Sequence, residues 1–235
     1  MSENIYIIAD LHLSAKRAEM VRLFFAFLDK IAHRGNTLYI LGDFFDYWIG
    51  DDDGSAFNLG IIEKLKRVHN KGLSVFLMHG NRDFLIGKQF ADQAKITLID
   101  DPCVLEMPEK NILLMHGDLL CTGDKSYQYF RKFVRNRLVK QLYLALPLKL
   151  RQILAAKIRQ KSRAKNARLK VIDVTQKGIK RYLNHDKILI HGHTHLKAIH
   201  RNPNVTRYVL GDWFKSGSYI QIDTKSNISL HDYDG

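Results

Sequence analysis

Five apolar runs along this chain each end in a residue type that binds metal ions. Each run has the length of a buried strand, and glycine accompanies the polar residue in four of the five. In chain order, the polar residues that follow the runs are Asp10 and His12, Asp43, Asn81, His116, and His193 and His195. Open α/β sheets place their sites at the carboxyl ends of their strands. The recurrence therefore predicts an α/β fold that gathers these side chains at one site, although each motif alone is also ordinary turn chemistry.

The donors in this set are carboxylates, an amide and imidazoles, with no thiolate among them. Such a mixture suits Mn²⁺, Fe²⁺ or Zn²⁺. We interpret Asp43, which follows Tyr39–Leu41 and Gly42, as a carboxylate shared by two ions. Two ions about 3.5–4 Å apart would hold a hydroxide and draw charge from phosphoryl oxygens, which predicts hydrolysis of a phosphate ester or anhydride. Asp118, close behind His116, is either a partner that fixes an imidazole or a turn residue.

Positive charge is concentrated in one stretch of the chain. The net charge is +13, yet residues 125–172 contain 15 Lys or Arg and no acidic residue, while the remainder has 22 basic and 24 acidic residues. Such a local excess should face something anionic, whether nucleic acid, an anionic membrane or a phosphate-rich substrate.

The same stretch is predicted to be helical and partly apolar. One face of a first helix is traced by Tyr127, Phe130, Val134, Leu138 and Leu142, and a second helix is marked by Leu150, Ile153, Leu154 and Ile158. Leu142–Leu148 is apolar all round, and Pro147 should break or begin a helix there. An apolar face beside a cationic face favours a membrane surface. Nucleic-acid binding would explain the charge but accounts less well for the apolar run.

Elsewhere, periodicity predicts helices at 17–33, 55–71, 84–94 and 171–183, and strands at 5–9, 75–78, 112–115, 187–190, 207–210, 219–222 and 228–231. We expect the acidic tip Asp51–Asp53 to be a solvated loop. A length of 235 residues suits one large domain, with or without an insertion. Cys103 and Cys121 fit a reducing cytoplasm, no run is long enough for a membrane span, and the start runs straight into a strand. We therefore expect a cytoplasmic chain without a signal peptide.

The order of the motifs resembles the calcineurin-like metallophosphoesterases, whose pattern runs Asp-x-His, Gly-Asp, Gly-Asn, His and Gly-His-x-His. The resemblance covers nearly the whole chain. It implies a four-layer α/β sandwich of two mixed β-sheets flanked by helices, as a single domain over 1–235 with a helical cap insertion at about 124–170. It also implies two metal sites, one held by Asp10, His12, Asp43 and His195 and the other by Asp43, Asn81, His116 and His193.

One position departs from the commonest family pattern. Many members have His after Gly-Asn, where it assists the departure of an alkoxide, whereas this chain has Arg82. Arginine does not readily donate a proton at neutral pH, but it can clamp phosphate oxygens. This choice suits a leaving group that needs no proton, and so favours a pyrophosphate over a simple monoester. The catalytic set implied by the resemblance is Asp43, Asn81, Arg82 and His116.

Further stretches, at 48–53, 80–85, 116–118 and 210–213, look like the branch of the family that hydrolyses a UDP-linked diacylated glucosamine in lipid A synthesis. This resemblance implies attack at the α-phosphorus, release of UMP and a sugar 1-phosphate, and Mn²⁺ as the metal. It implies a cap that holds acyl chains and meets the anionic inner membrane from the cytoplasmic side, with no nucleic acid as partner. The implied substrate contacts are Asn81, Arg82, Asp124, Ser162, Asn166 and His193, with Lys165, Arg168 and Lys170 as candidates for one lysine role. We expect Arg159 to be an additional phosphate or sugar contact.

Two other hypotheses stay open on the sequence. One is a metallophosphoesterase that acts on nucleic acid or another nucleotide, which draws on the charge of +13. The other is a scaffold that has kept the fold and lost its metals. All seven ligand positions are filled in this chain, which argues against the scaffold.

Overall fold

The computed structural model describes residues 3–108, 110–166, 173–183, 188–203 and 205–235, without the side chains of residues 161–166. Within these ranges the strands form two mixed sheets. The larger sheet has the spatial order β11 (Ile228–Tyr233), β10 (Gly217–Ile222), β1 (Ile5–Ile8), β2 (Thr37–Leu41), β3 (Ser74–Met78) and β4 (Thr97–Ile99). The smaller sheet has the order β5 (Cys103–Glu106), β6 (Asn111–Met115), β7 (Ile188–His191), β9 (Val205–Val209) and β8 (Ala198–Asn202).

Each sheet combines a parallel block with antiparallel strands. Strands β1, β2, β3 and β4 are parallel to one another and reach one edge of the larger sheet, and β6, β7 and β9 form the parallel centre of the smaller one. The outer strands β10, β11, β5 and β8 pair antiparallel. Consequently β1, β2 and β3 share one carboxyl edge, and β6 and β7 share another.

The helices are α1 (Ala18–Ile31), α2 (Ala56–Asn70), α3 (Lys88–Ala94), α4 (Lys125–Val134), α5 (Arg137–Leu144), α6 (Leu148–Asn166) and α7 (Gln176–Tyr182). Helices α1 to α3 cover one face of the larger sheet, where residues such as Phe24 and Leu65 pack against Ile40. The two sheets bury their inner faces against each other. A smaller cluster joins the outer face of β6 and β7 to Tyr182 of α7. The predicted α/β architecture of two mixed sheets flanked by helices is therefore confirmed.

Several local predictions were wrong. The short strands β4, β5 and β8 were not predicted, and the helix expected over 84–94 begins only at Lys88. The predicted helix 171–183 begins at Gln176, and its first two residues lie outside the described ranges. The single helix traced from Tyr127 to Leu142 is two helices, because Asn136 accepts the Leu138 N–H at 2.9 Å and caps α5. Pro147 does precede a helix, as predicted.

Helices α4, α5 and α6, the inserted helices, lie in sequence between β6 and β7, and their basic residues attach them to the sheets. Arg131 Nε lies 2.7 Å from Asp118 Oδ2. Arg135 donates to the Gly80 carbonyl at 2.7 Å, and Lys140 donates to the Phe84 carbonyl at 3.0 Å. Two further arginines of α6, Arg151 and Arg159, pair with Asp52 and Asp46. Each of these five side chains therefore has an acceptor within the chain itself, and two of them, Lys140 and Arg159, also line a cavity described below.

The acidic tip Asp51–Asp53 is only partly a solvated loop, because Asp51 is half-buried although the Asp52 side chain is 58% exposed. Asp51 Oδ1 accepts N–H groups from Trp48 and Gly87, both at 2.9 Å, and its Oδ2 accepts the Phe90 N–H at 3.0 Å. Asp52 accepts from Arg151 Nη1 at 2.8 Å, which ties the tip to α6. These aspartates therefore position the start of α3 and one inserted helix.

We expect Asp51→Ala to lower the free energy of unfolding by about 2–3 kcal/mol, because three donors lose their shared acceptor at once. The measurement is urea denaturation followed by circular dichroism. The matched control is Asp92→Ala, which removes an exposed carboxylate from α3 itself and should change the free energy by less than about 0.5 kcal/mol. Equal stabilities of the two variants would contradict the anchoring role of Asp51.

Candidate active site

The structure brings the seven predicted ligands together. Asp10 and His12 follow β1, Asp43 follows β2, and Asn81 follows β3, all at the carboxyl edge of the larger sheet. His116 directly follows β6, and His193 and His195 follow β7 at the corresponding edge of the smaller sheet. The site therefore lies where the parallel edges of both sheets meet, as the strand-end pattern predicts.

The backbone of this site is unusual. Non-glycine residues with positive φ are uncommon, yet five of the seven in the described chain belong to the ligand set. These are Asp10, His12, Asp43, His193 and His195, with φ of 58°, 47°, 50°, 69° and 59°. Residues in such conformations persist only where their surroundings fix them, and they concentrate at functional sites.

Hydrogen bonds between the loops fix these conformations. Asp10 donates its N–H to the Gly42 carbonyl at 3.1 Å, and His12 donates to the Asp43 carbonyl at 2.9 Å. Gly42 itself has a φ of 83°, and a Cβ there would lie 2.6 Å from the Gly80 Cα. The loops after β2 and β3 can approach this closely only because glycine occupies the contact.

The first group of ligand atoms is centred on Asp10. The Nε2 atoms of His12 and His195 are 3.3 Å apart, and His195 Nε2 is 3.5 Å from Asp10 Oδ1. One ligand atom from each of these three residues lies within 4.8 Å of the other two. The other ring nitrogen of His12, Nδ1, is 3.8 Å from Asp43 Oδ2.

The second group is centred on Asn81. Its Oδ1 lies 3.0 Å from both His116 Nε2 and His193 Nδ1. His116 Nε2 is 3.8 Å from Asp43 Oδ1, the oxygen opposite to the one that faces His12. Asp43 thus presents one carboxylate oxygen to each group, which is the position that a shared ligand requires.

The polar atoms of the site fit a pair of divalent cations. Asp10 Oδ1 and His12 Nδ1 are buried and have no hydrogen-bond partner within the described part of the chain. Such atoms are costly unless another group satisfies them, and a cation would do so. Burial, and then the neighbouring His116, lower the pKa of His193 to about 4, whereas burial is outweighed by nearby carboxylates that raise the pKa of His116 to about 9 and that of His195 to about 10. Of these three rings, His193 is thus the one that its protein surroundings alone keep neutral. A neutral imidazole retains the lone pair that a metal ion needs.

Two carboxylates support the ligands, and sequence reasoning gave neither of them a role. Asp83 is fully buried, and its oxygens accept the N–H groups of Phe44 and Gly80, both at 2.7 Å. It therefore joins the loop that carries Asp43 to the loop that carries Asn81. Burial, and then the charge of Asp43, raise the pKa of Asp83 to about 6. The only sequence signal for this residue is its place in the motif 80–83.

The second supporting carboxylate, Asp212, lies 3.0 Å from His195 Nδ1 and holds that ring in place. Asp118 is also buried, but its Oδ2 accepts from Tyr127 Oη at 2.5 Å and from Arg131 Nε at 2.7 Å. Neither of the two alternatives for Asp118, a partner of an imidazole or a turn residue, describes these contacts. Its carboxylate connects the site to α4.

A cavity of about 610 Å³ opens between the sheets and the inserted helices. Its polar wall includes Asp46, Asn81, Arg82, Asp124, Tyr127 and Arg159. Its apolar wall includes Phe84, Leu85, Phe130, Val134, Val139 and Ile158. Because Asn81 and Arg82 belong both to this wall and to the surroundings of Asp43, the cavity begins at the ligand cluster.

The predicted substrate contacts divide into three groups. Asn81, Arg82, Asp124 and Arg159 line the cavity, and His193 lies in the ligand cluster. The side chains of Ser162, Lys165 and Asn166 lie outside the described part of the chain, as do Arg168 and Lys170 entirely. Sequence reasoning missed Tyr127, which it treated only as part of an apolar helix face. Its ring stacks on His193 with centroids 6.2 Å apart.

Comparison with known proteins identifies similar sequences along nearly the whole chain. Residues 3–212 match the family model described as calcineurin-like phosphoesterase. The chain is 44% identical over 233 residues to the UDP-2,3-diacylglucosamine hydrolase of Pseudomonas aeruginosa (strain UCBPP-PA14), with 95% of this chain and 97% of that protein covered. It is 41% identical over 222 residues to the protein of the same name from Histophilus somni (strain 2336), with 92% and 95% covered. The solved structure of a novel archaeal phosphodiesterase aligns over 97% of this chain and 99% of its own, at 15% identity and a TM-score of 0.48.

We expect Asp83→Asn to weaken divalent-metal binding by between about 10- and 100-fold. The replacement keeps the shape of the side chain, but one of the two backbone N–H groups would face another donor. Mn²⁺ titration followed by isothermal calorimetry measures the change. The control is Asp100→Asn, which alters an exposed carboxylate near the same edge. An Asp83→Asn protein that binds Mn²⁺ as tightly as this control would show that Asp83 does not position the ligands.

Proposed function

We propose that this chain, a member of the calcineurin-like phosphoesterase family, hydrolyses the pyrophosphate bond of UDP-2,3-diacylglucosamine at the α-phosphorus. The products are UMP and 2,3-diacylglucosamine 1-phosphate. The observation that carries this proposal is the cavity of about 610 Å³, which is polar beside the ligand cluster and apolar beyond it. A substrate whose sugar carries a nucleoside diphosphate on one side and acyl chains on the other matches that order. The names of relatives that are 41–44% identical add independent support.

The proposed roles follow from the positions of the side chains. Two divalent ions, which we propose to be Mn²⁺, would activate a water molecule and polarise the phosphoryl oxygens. The proposed metal ligands are Asp10, His12, Asp43, Asn81, His116, His193 and His195, and the proposed catalytic residues are Asp43, Asn81, Arg82 and His116. The proposed substrate contacts are Asn81, Arg82, Asp124, Arg159, Ser162, Asn166 and His193.

Arg82 is placed to act on the phosphate. Its backbone N–H donates to Asp43 Oδ1 at 2.9 Å, and its Nε lies 3.3 Å from Asp43 Oδ2. The guanidinium thus stands beside the shared ligand, where it can clamp phosphoryl oxygens as their charge develops. The departing sugar 1-phosphate is already a stable anion, so arginine can replace a proton donor at this position.

The inserted helices supply the rest of the binding volume. We propose one metallophosphoesterase domain over 1–235 in which a cap at about 124–170 covers the acyl chains. Phe130 and Val134 of α4 and Ile158 of α6 supply apolar wall together with Phe84 and Leu85. A nucleic-acid substrate would be served by an open basic groove, whereas much of the wall of this cavity is apolar. Five basic side chains of the inserted helices are used to attach these helices to the rest of the chain.

Product analysis in ¹⁸O-labelled water tests the reaction. With the diacylated UDP-sugar in detergent and Mn²⁺ present, we expect UMP and diacylglucosamine 1-phosphate in equal amounts, with the label in UMP. Asp43→Ala should abolish turnover while leaving the circular dichroism spectrum unchanged, because it removes the shared ligand. Label in the sugar phosphate, or near-normal hydrolysis by Asp43→Ala, would refute the proposed reaction.

We further propose that the outer face of the inserted helices binds the anionic inner-membrane surface. No helix in the described part of the chain is long and apolar enough to cross a membrane. Four side chains on α4 and α5 are nevertheless exposed, namely Tyr129 at 76%, Phe133 at 63%, Leu138 at 68% and Leu142 at 72%. Exposed basic residues, Lys132 and Arg137, stand among them. Apolar anchors interleaved with cations are the arrangement that binds anionic bilayers.

This surface differs from the one expected from sequence. Within the apolar run Leu142–Leu148, Leu142 is 72% and Leu144 38% exposed, whereas Leu146 and Leu148 are half-buried. The proposed membrane-binding face instead extends towards the start of α4, where Tyr129, Phe133 and Leu138 line a shallow groove.

We expect the triple variant Phe133→Ser, Leu138→Ser, Leu142→Ser to bind vesicles containing phosphatidylglycerol on the order of 100-fold more weakly. Partial burial of each side chain in the bilayer is worth about 1 kcal/mol. Co-sedimentation measures binding, and thermal unfolding confirms that exposed positions leave the fold intact. The control is Leu59→Ser with Val104→Ser, two exposed apolar residues outside the inserted helices. Equal vesicle binding by the triple variant and the control would contradict the proposal that this face binds the membrane.

A further inference from the structure

One carboxylate joins the metal end of the cavity to the inserted helices. Asp46 lies three residues after Asp43 in the loop that follows β2, and its side chain is only 12% exposed. Its Oδ1 lies 3.4 Å from Nη1 of Arg82, and its Oδ2 pairs with Nη2 of Arg159 on α6. Arg82 follows β3 and Arg159 belongs to α6, and all three residues line the cavity.

These contacts form part of a longer series of charges. Arg82 Nε is 3.3 Å from Asp43 Oδ2, so the guanidinium is held at one edge by the shared ligand and at another by Asp46. The guanidinium of Arg159 also lies over the Tyr47 ring, 4.9 Å from its centroid. A continuous series of contacts therefore leads from Asp43 through Arg82 and Asp46 to α6.

The physical effect of Asp46 follows from its position between two cations. Two guanidinium groups that share one carboxylate repel each other less because the negative charge lies between them. Without Asp46, Arg82 would lose one of the contacts that fix its plane, and α6 would lose one of its attachments to the loops at the strand ends. Asp46 thus contributes both to the position of the helix and to the orientation of the Arg82 guanidinium.

We propose that Asp46 is a positioning residue that couples the placement of α6 at the cavity wall to the orientation of Arg82 beside the ligand cluster. This inference rests on the proposed function and adds a means of selectivity to it. Arg159 of α6 pairs with Asp46, and Asp46 in turn holds Arg82 in its clamping orientation. An acyl chain that packs on Ile158 of α6 would keep the helix in this place, so recognition of the lipid at one end of the cavity would favour chemistry at the other.

A double-mutant cycle on the full chain loaded with Mn²⁺ tests this coupling. The variants are Asp46→Asn, Arg159→Gln and the combination of both, assayed by UMP release from the diacylated UDP-sugar. Each single variant should lower kcat about 30-fold and change KM less. This is the scale expected when one partner of a buried ion pair is removed. Because the two residues act through each other, the kcat of the double variant should be about equal to that of the slower single variant.

The matched control breaks another ion pair between α6 and the body. Asp52 pairs with Arg151 of the same helix, but neither residue lines the cavity. Asp52→Asn should therefore change kcat by less than about threefold, even if it lowers the melting temperature as much as Asp46→Asn does. Mn²⁺ affinity, measured on every variant, should stay within about threefold of the wild-type value, because Asp46 is not a ligand.

The results separate this inference from the proposed function. If the wild-type chain releases no UMP, the proposed function fails and the cycle has no rates to compare. If it does release UMP, three results would each overturn the coupling. These are a double variant whose loss is the product of the two single losses, an unchanged kcat for Asp46→Asn, and an equal loss of kcat in Asp52→Asn.

Discussion

Two buried carboxylates placed close together are the constraint on which the rest of this structure depends. Asp10 and Asp43 are 0% and 2% exposed, and both stand at the edge where the two sheets meet. Buried like charges are expensive unless hydrogen bonds and opposite charges offset them. The backbone N–H of His193 donates to Asp10 Oδ2 at 2.7 Å, and the backbone N–H of Arg82 donates to Asp43 Oδ1 at 2.9 Å. These donors come from other strands, so the two carboxylates require both sheets to be in place.

The same requirement explains why the ligand backbone is strained. An extended strand that simply continued would carry Asp10 or Asp43 away from the edge. A left-handed residue turns the chain within one step, and five of the ligands adopt it themselves. Asp83 holds two of the loops together, and Trp213 donates its N–H to the Asp10 carbonyl at 3.2 Å to hold a third. The conformational cost is thus carried by a network whose members are themselves buried, which is how such a site keeps its geometry.

The sequence predicted the ligand cluster because strand periodicity and ligand chemistry coincide at each strand end. Asp10, Asp43 and His116 could be placed without knowing which strand pairs with which, since every parallel strand delivers its last residue to the same edge. The short edge strands could not be placed in this way. Strand β4 has only three residues, and the residues of β5 alternate between half-buried and exposed, so neither shows the apolar run that marked the central strands.

The ion pairs of the inserted helices were missed for a different reason. Arg159 and Asp46 are 113 residues apart in sequence, and nothing local to either distinguishes a pair from two solvated charges. A basic stretch without acids therefore looked like a surface for an external anion, when five of its side chains are matched by acceptors on the body. Likewise, the helical spacing from Tyr127 to Leu142 continues across Asn136, so the break between α4 and α5 depends on a cap that periodicity does not reveal.

The inserted helices use some of their basic residues for attachment to the sheets and carry others on their outer face. Arg131, Arg135 and Arg151 fix the segment to the sheets through carboxylates and carbonyls, and this attachment does not depend on what the outer face meets. Lys132 and Arg137 stay on the outer face beside exposed aromatic and leucine side chains. Because attachment and surface use different residues, the apolar cavity between them can keep its shape whether or not a bilayer is present. Under the proposed function, the outer face would meet the bilayer, and the cavity lined by Arg159 and Asp46 would receive the substrate.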